Sequence, residues 1–309
     1  MAGSTLNFRA LQRANQRKTI GLLLGMGVLI TAVVFAAATY FGHMTTAGIV
    51  PLAVGIALAS VWGSYYASDT LVMTMTGAKV IERDQAPDLY NLVEEVCVVS
   101  GLKMPKIAIV EDNAPNAFAT GRNEDHAVIA FTTRILEVMN RTELQGVIAH
   151  EMAHVANRDT LVSAVAATTA GAIALLSDFL MRMMWFTGGD RDRDRNENSN
   201  PIALIASLVI LILAPLAAIL LRSAISRRRE ALADATAVAF TRNPAGLREA
   251  LEVLQQDTTV VRQKSNAVAH IWIESPLDGK GVSNLFSTHP PLAERIATLR
   301  AMEANPDLG

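Results

Sequence analysis

The chain's 309 residues leave room for two domains of ordinary size, yet 51% are hydrophobic and only 18% charged, an unusual balance for a soluble domain. The formal net charge of −2 gives no reason to expect nucleic acid as a partner, and no aromatics are interleaved with basic residues as on a base-stacking platform. Cys97 is the only cysteine, which excludes an intrachain disulfide; its amphipathic surroundings mark a buried, inert thiol.

Two uncharged stretches of 23 residues come first, Thr19–Phe41 and Thr46–Ser68. Each exceeds the roughly 20 residues that cross a bilayer core. Only Gly42, His43, Met44 and Thr45 separate them, so they form a tight transmembrane hairpin. The first is too long for a signal peptide, and a second span follows at once. Arg9, Arg13, Arg17 and Lys18 precede the first span and no Lys or Arg lies in the hairpin loop, which places the N-terminus in the cytoplasm.

A polar region follows, Asp69–Thr160. Leu89, Leu92, Val93 and Val96 recur at helical spacing over Pro87–Ser100, with Gly101 as the stop. Lys106–Val110 and Ala127–Thr132 are β-branched runs that predict short strands. Between them lies Asn116-Ala117-Phe118-Ala119-Thr120-Gly121; Phe118 alone reads equally as ordinary core. Asn140 with Glu143 is a capping box that opens a helix. That helix carries His150-Glu151-Met152-Ala153-His154. Residues four apart on a helix differ by about 40° in azimuth and about 6 Å in rise, so both imidazoles face one side, where a single Zn²⁺ can use both. Glu151 projects nearby, free to act on a water rather than on the metal. The pentapeptide by itself is also compatible with two histidines on a helix surface.

The second hydrophobic pair is less regular. Leu161–Ser177 has 17 uncharged residues before Asp178 and Arg182, so it is either a span or a partly buried helix. Ile202–Leu221 is a clear span of 20 that contains Pro215. Arg191, Arg193 and Arg195 alternate with aspartates in the loop between them, and Arg222 and Arg227–Arg229 follow the last span as a juxtamembrane anchor. In the final region Ser223–Thr241 is helical, Asn243-Pro244 opens a helix through Gln256, and Pro291–Met302 is a last helix. Neither polar region holds a core of its own, so the two fold together as one mainly helical domain with a small sheet. A catalytic zinc needs a third protein ligand. Glu230 is the best candidate, because it follows the second hairpin as the His pair precedes it. Alone it is a solvated charge balancing three arginines. If these ligands meet, the hairpin crosses the membrane an even number of times, and its loop lies outside. Asp234, one turn beyond Glu230, and Asp159, at the end of the histidine helix, are positioned to fix the tautomers of ligand histidines, or else are plain surface carboxylates.

Taken together, Pro115–Gly121, His150–His154 continuing to Asp159, Ser226–Asp234, and Ser287-Thr288-His289-Pro290-Pro291 with Arg295-Ile296 give the chain a close resemblance to the bacterial HtpX-type membrane zinc metallopeptidases, and a more distant one to the CAAX prenyl proteases. The order of motifs and the two hydrophobic hairpins agree over nearly the whole chain. The resemblance implies one zinc per chain held by His150, His154 and Glu230, a zincin-like α+β domain on the cytoplasmic face of the bacterial inner membrane, and proteolysis of membrane proteins for quality control. It assigns oxyanion stabilisation to His289, which otherwise reads as a turn residue before two prolines. It also gives Asn116, Ala117, Phe118 and Ala119 to an edge strand that receives extended substrate, and Arg295 to substrate or to anchoring His289. The expected organisation is 1–68 for the N-terminus and first hairpin, 69–160 for the first half of the peptidase domain, 161–221 for the second hairpin and 222–309 for the second half.

The expected chemistry is hydrolysis, with Glu151 as the base that takes a proton from water and returns it to the departing amine. Two rivals compete. A membrane scaffold with a structural or vestigial metal site needs neither Glu151 nor His289, and both are present. A dedicated prenyl-protein processing enzyme resembles a larger chamber, which four spans do not enclose.

Overall fold

The computed structural model describes isolated positions between residues 13 and 31, and residues 46–168, 227–261, 268, 271–273 and 291–304. Most of the expected first span, the third span beyond Thr168, the whole of Ile202–Leu221, the arginine-aspartate loop and His289 lie outside the described residues.

Helix α1, Thr46–Tyr66, is uncharged over 21 residues and carries Pro51 near its start. Among its described side chains Leu58 is 65% and Trp62 67% exposed. Counted over the described residues alone, no helix is long and apolar enough to cross a membrane. A bend at Ala67 leads into α2, Ser68–Thr76, whose last turn closes where the left-handed Gly77 returns its N–H to the Met73 carbonyl. Nothing local in the sequence marks α2: Leu71, Val72 and Met73 are consecutive and Met75 stands between threonines, so no apolar stripe at helical spacing results.

Four strands form one sheet in the order β1-β2-β4-β3: Lys79–Val80, Lys106–Val110, Val128–Thr132 and Ala117–Thr120 in that spatial order. Central β2 and β4 run parallel, pairing Lys106 with Val128 and Val110 with Thr132. Both outer strands are antiparallel to their neighbours, and β3 pairs Phe118 with Ala130. Strand side chains alternate between faces. Thus Ile107, Ile129 and Phe131 enter one apolar cluster while Ala108, Phe118 and Ala130 enter the other.

The larger cluster draws on both polar regions of the sequence. It joins Leu92 and Val93 of α3 (Pro87–Ser100) and Val147 and Ile148 of α5 (Arg141–Ala156) to Ala237 of α6 (Arg227–Thr241). Leu251 of α7 (Pro244–Gln256) and Leu299 of α8 (Leu292–Ala304) complete it. A short α4, Thr133–Val138, bridges β4 to α5, capped by the Thr132 side chain accepting from the Ile135 N–H. The smaller cluster packs Val72, Ala164, Ala167 and Trp272 on the opposite face. Residues 160–168, the start of the expected third span, are helical, and Val162, Val165 and Ala167 are fully buried.

Helix α5 starts at a reciprocal cap. Asn140 Oδ1 accepts from the Thr142 and Glu143 N–H groups, and Glu143 Oε2 accepts from the Asn140 N–H at 2.8 Å. Where α5 crosses α7, a Cβ on Gly146 would stand 2.5 Å from the Leu247 nitrogen. Only a glycine pair, Gly146 and Gly246, admits so close a crossing, and it fixes α5 one turn before its histidines.

Candidate active site

His150 and His154 are one turn apart on α5, and their Nε2 atoms lie 3.1 Å from each other. Glu230, in the first turn of α6, places Oε2 3.7 Å from His150 Nε2 and Oε1 3.9 Å from His154 Nε2. One donor atom from each of the three falls within 4.8 Å of the others. Donor atoms about 2.0–2.2 Å from a tetrahedral zinc are separated from one another by about 3.3 Å. Two imidazole nitrogens and a carboxylate oxygen spaced in this way fit that ion. The set is buried except for His154, whose side chain is 17% exposed.

Each histidine turns its other ring nitrogen onto a carboxylate. His150 Nδ1 lies 3.0 Å from Asp234 Oδ1, and His154 Nδ1 lies 3.0 Å from Asp159 Oδ1. These bonds hold Nδ1 as the donor and leave Nε2 of both rings toward Glu230. Asp234 comes from the same helix as Glu230, one turn on; Asp159 reaches back from just past α5.

Burial and neighbouring charge together set the protonation of the cluster. For His150 burial acts first and the Arg295 charge second; together they outweigh Asp234 and hold the ring below its ordinary pKa, in the neutral form a metal ligand needs. His154 differs: burial opposes its charge, but Asp159 and the nearby glutamates lift it to about 10. Glu151 is pushed up to about 7, chiefly by burial, with the charge of Glu230 adding to the rise; His154, Arg295 and the Ala119 backbone amide pull the other way. A carboxylate poised near neutrality both accepts and returns a proton at physiological pH. Asp234 is held at about 2, because Arg295 and His150 more than offset its burial.

The cavity beside the cluster has a volume of about 30 Å³. Glu151, His154, Asp159 and Glu230 form its polar side, and Ala119 and Ile271–Ile273 an apolar one, with Thr160 and Ser163 at its edge. Of the four residues expected to meet substrate on the edge strand, Ala119 alone lines this space. Phe118 is buried in the smaller apolar cluster, edge-on to Trp272 with ring centroids 4.8 Å apart. Asn116 shapes the entry to β3, its Oδ1 accepting the Ala117 N–H at 3.0 Å and its own N–H donating to Thr132 Oγ1 at 2.9 Å. Arg295 does not line the cavity. It is buried behind the histidines, with Nη2 2.6 Å from Asp234 Oδ1 and Nη1 3.7 Å from Glu230 Oε2. His289 lies outside the described residues.

The sequence reading passed over Thr160, Ser163 and Ile271–Ile273. The first two carried no signal beyond polarity. The third was visible as an apolar, strand-like run, Ala267–Ile273, interrupted by His270.

Sequence comparison finds a matching family and several relatives. The sequence profile of Peptidase family M48 matches residues 83–303. A "Protease HtpX homolog" of Streptococcus gordonii is 43% identical over 293 residues, covering 94% of this chain and 98% of that protein. Another, from Caldanaerobacter subterraneus subsp. tengcongensis, is 44% identical over 293 residues, covering 94% and 97%. Among solved structures, Ste24p of S. mikatae superposes with a TM-score of 0.49 at 19% identity, over 94% of this chain and 66% of that one.

Proposed function

This chain belongs to peptidase family M48 and is a zinc-dependent protease, and we propose that His150, His154 and Glu230 hold one Zn²⁺ beside Glu151 as its catalytic base. The observation that carries this reading is the convergence of three donor atoms within 4.8 Å from helices more than 70 residues apart in sequence. Zinc, when bound, supplies a Lewis acid that polarises the scissile carbonyl and the attacking water.

The chain's own residues do the rest. Glu151 takes the water proton as the water attacks and delivers it to the departing amine, which its position in the cavity and a pKa of about 7 allow. Asp234 and Asp159 hold the two rings in the ligating tautomer. Arg295 keeps Asp234 ionised and offsets the negative charge of Glu230. By the resemblance, His289 donates to the developing oxyanion, and the segment Asn116–Ala119 offers backbone to an extended peptide. A scaffold with a vestigial site would have no reason to bury Glu151, a carboxylate whose desolvation is costly.

The protease is anchored in the bacterial inner membrane by hairpins 19–68 and 161–221, with the N-terminus and the site in the cytoplasm, and it removes misfolded membrane proteins. The charge-free 46–66 helix with exposed Leu58 and Trp62 supports the anchor, and the arginines ahead of the first span support the orientation. The test is direct. Detergent-solubilised protein is expected to contain one zinc per chain and to cleave casein until a chelator is added, while Glu151→Gln retains the zinc and loses cleavage. Cleavage by Glu151→Gln at the wild-type rate would remove Glu151 from the mechanism.

A further inference from the structure

Strand β3 is the outer strand of the sheet, but its outward edge is already engaged by the chain itself. Antiparallel pairing to β4 through Phe118 and Thr120 turns the backbone groups of Ala117 and Ala119 away from the sheet. The Ala117 N–H donates to Asn116 Oδ1 at 3.0 Å, and the Ala117 carbonyl accepts the Ile273 N–H at 2.9 Å. Residues 271–273 are a short turn and bend outside the four-stranded sheet, joined to β3 by the Ile273–Ala117 bond. Ile273 joins the cluster that holds Ala117, and Trp272 joins the opposite one, edge-on to Phe118. Both are at most 2% exposed. Together with Ile271 they form the apolar wall of the cavity beside Glu151 and Glu230.

We propose that Ile271–Ile273 is a built-in surrogate for the substrate strand, holding the Ala117 carbonyl that substrate would use, so that an extended polypeptide enters the site only by displacing it. The inference rests on the proteolytic reading above. An incoming strand offers an N–H to the Ala117 carbonyl in place of that of Ile273, and an apolar side chain to the pocket that Trp272 fills. The exchange replaces like with like, which keeps its net cost low and favours extended, apolar segments such as those of unfolded chains. Folded proteins offer no free strand and are spared.

The test locks the segment in place. Ala117 and Ile273 share a backbone hydrogen bond and their side chains enter the same cluster, so they are the pair to cross-link. In the Ala117→Cys/Ile273→Cys protein with zinc bound, oxidation is expected to lower kcat/KM on casein by roughly tenfold or more, and a phosphine reductant to restore it. Equal cleavage by the oxidised and reduced forms would overturn the proposal while leaving the protease assignment intact. A second measurement does not depend on that variant folding or on turnover. With Trp62→Phe and Trp185→Phe, Trp272 is the sole tryptophan. In a Glu151→Gln background, adding a short unstructured peptide of casein sequence is expected to move its emission to longer wavelength as it leaves the core. Saturable binding with no change in Trp272 emission would show that substrate binds without displacing the segment.

Discussion

Arg295 and Asp234, 61 residues apart in the chain, meet fork to fork in the interior, with Nε 2.9 Å from Oδ2 and Nη2 2.6 Å from Oδ1. Asp234 Oδ1 in turn lies 3.0 Å from His150 Nδ1. A guanidinium on α8 thus reaches His150 on α5 through a carboxylate on α6, and three helices share one electrostatic unit. Arg295→Ala leaves Asp234 buried without the guanidinium it is forked to. The cost is about 3–5 kcal/mol in the metal-free protein, and less with zinc, whose charge substitutes. Urea unfolding with and without zinc measures both. Arg295→Lys keeps the charge but not the fork and is expected to fall between. A residue that merely bound substrate would raise KM and leave unfolding untouched, the outcome that would contradict this placement.

Asp159 acts on the other histidine. Its two oxygens lie 3.0 and 3.1 Å from His154 Nδ1, and the carboxylate is 2% exposed. Asp159→Ala frees the ring to rotate and to present the wrong nitrogen. Loss of such a partner typically costs about 10–100-fold in metal affinity. Competition against a fluorescent chelator is expected to show that loss. Unchanged affinity would mean that packing alone orients His154.

These two carboxylates show how much of the site the sequence disclosed. The spacing of His150, Glu151 and His154 and the Asn140–Glu143 cap are local patterns on one helix, and local patterns are legible. So are the spans of α3 and β2, whose Pro87, Gly101 and β-branched residues mark their ends in sequence and in structure alike. Glu230 was reachable only through its position after a hydrophobic hairpin and through resemblance to other chains. Arg295 illustrates what was not legible: nothing local distinguishes a buried guanidinium on a carboxylate from one at the mouth of a cleft. The same holds for Ile273, whose hydrogen bond to Ala117 spans most of the domain. Elements of few residues, such as β1 and α4, escaped because they carry too few residues to establish a period.

The helix crossing that supports the histidines is tested at Gly146. An added Cβ would sit 2.5 Å from the Leu247 nitrogen and 2.7 Å from its Cα, backbone atoms that cannot turn aside. Gly146→Ala therefore forces α5 and α7 apart, at about 1–3 kcal/mol or more. His150 lies four residues on and on the same face, so zinc affinity is expected to fall as well. Gly101→Ala is the control. No atom lies within 4 Å of its added Cβ, and only the positive φ of 70° opposes the substitution. It is expected to cost about 1 kcal/mol and leave zinc binding unchanged. Equal effects of the two variants on metal affinity would separate the glycine crossing from the site.

Cys97 gives a prediction about reactivity rather than strength. It is 7% exposed on α3, with Sγ 3.7 Å from the Lys103 carbonyl and 3.8 Å from Met104 Sδ. Burial, reinforced by the charges of Glu94 and Glu124, pushes the thiol up to about 11 from 9.0. The shift is upward, so at pH 8 the folded protein holds about 100-fold less thiolate than an unperturbed cysteine, and the thiolate is the species that alkylates. Iodoacetamide at pH 8 is expected to label the native protein at least that much more slowly than the urea-unfolded chain, with the rate still rising as the pH is taken past 9. Labelling of the native protein at the unfolded rate would place the thiol at the surface and dissolve the α3 packing that buries it. Slow labelling also serves the engineered disulfide between positions 117 and 273, since a thiol so rarely ionised does not compete for exchange with the introduced pair.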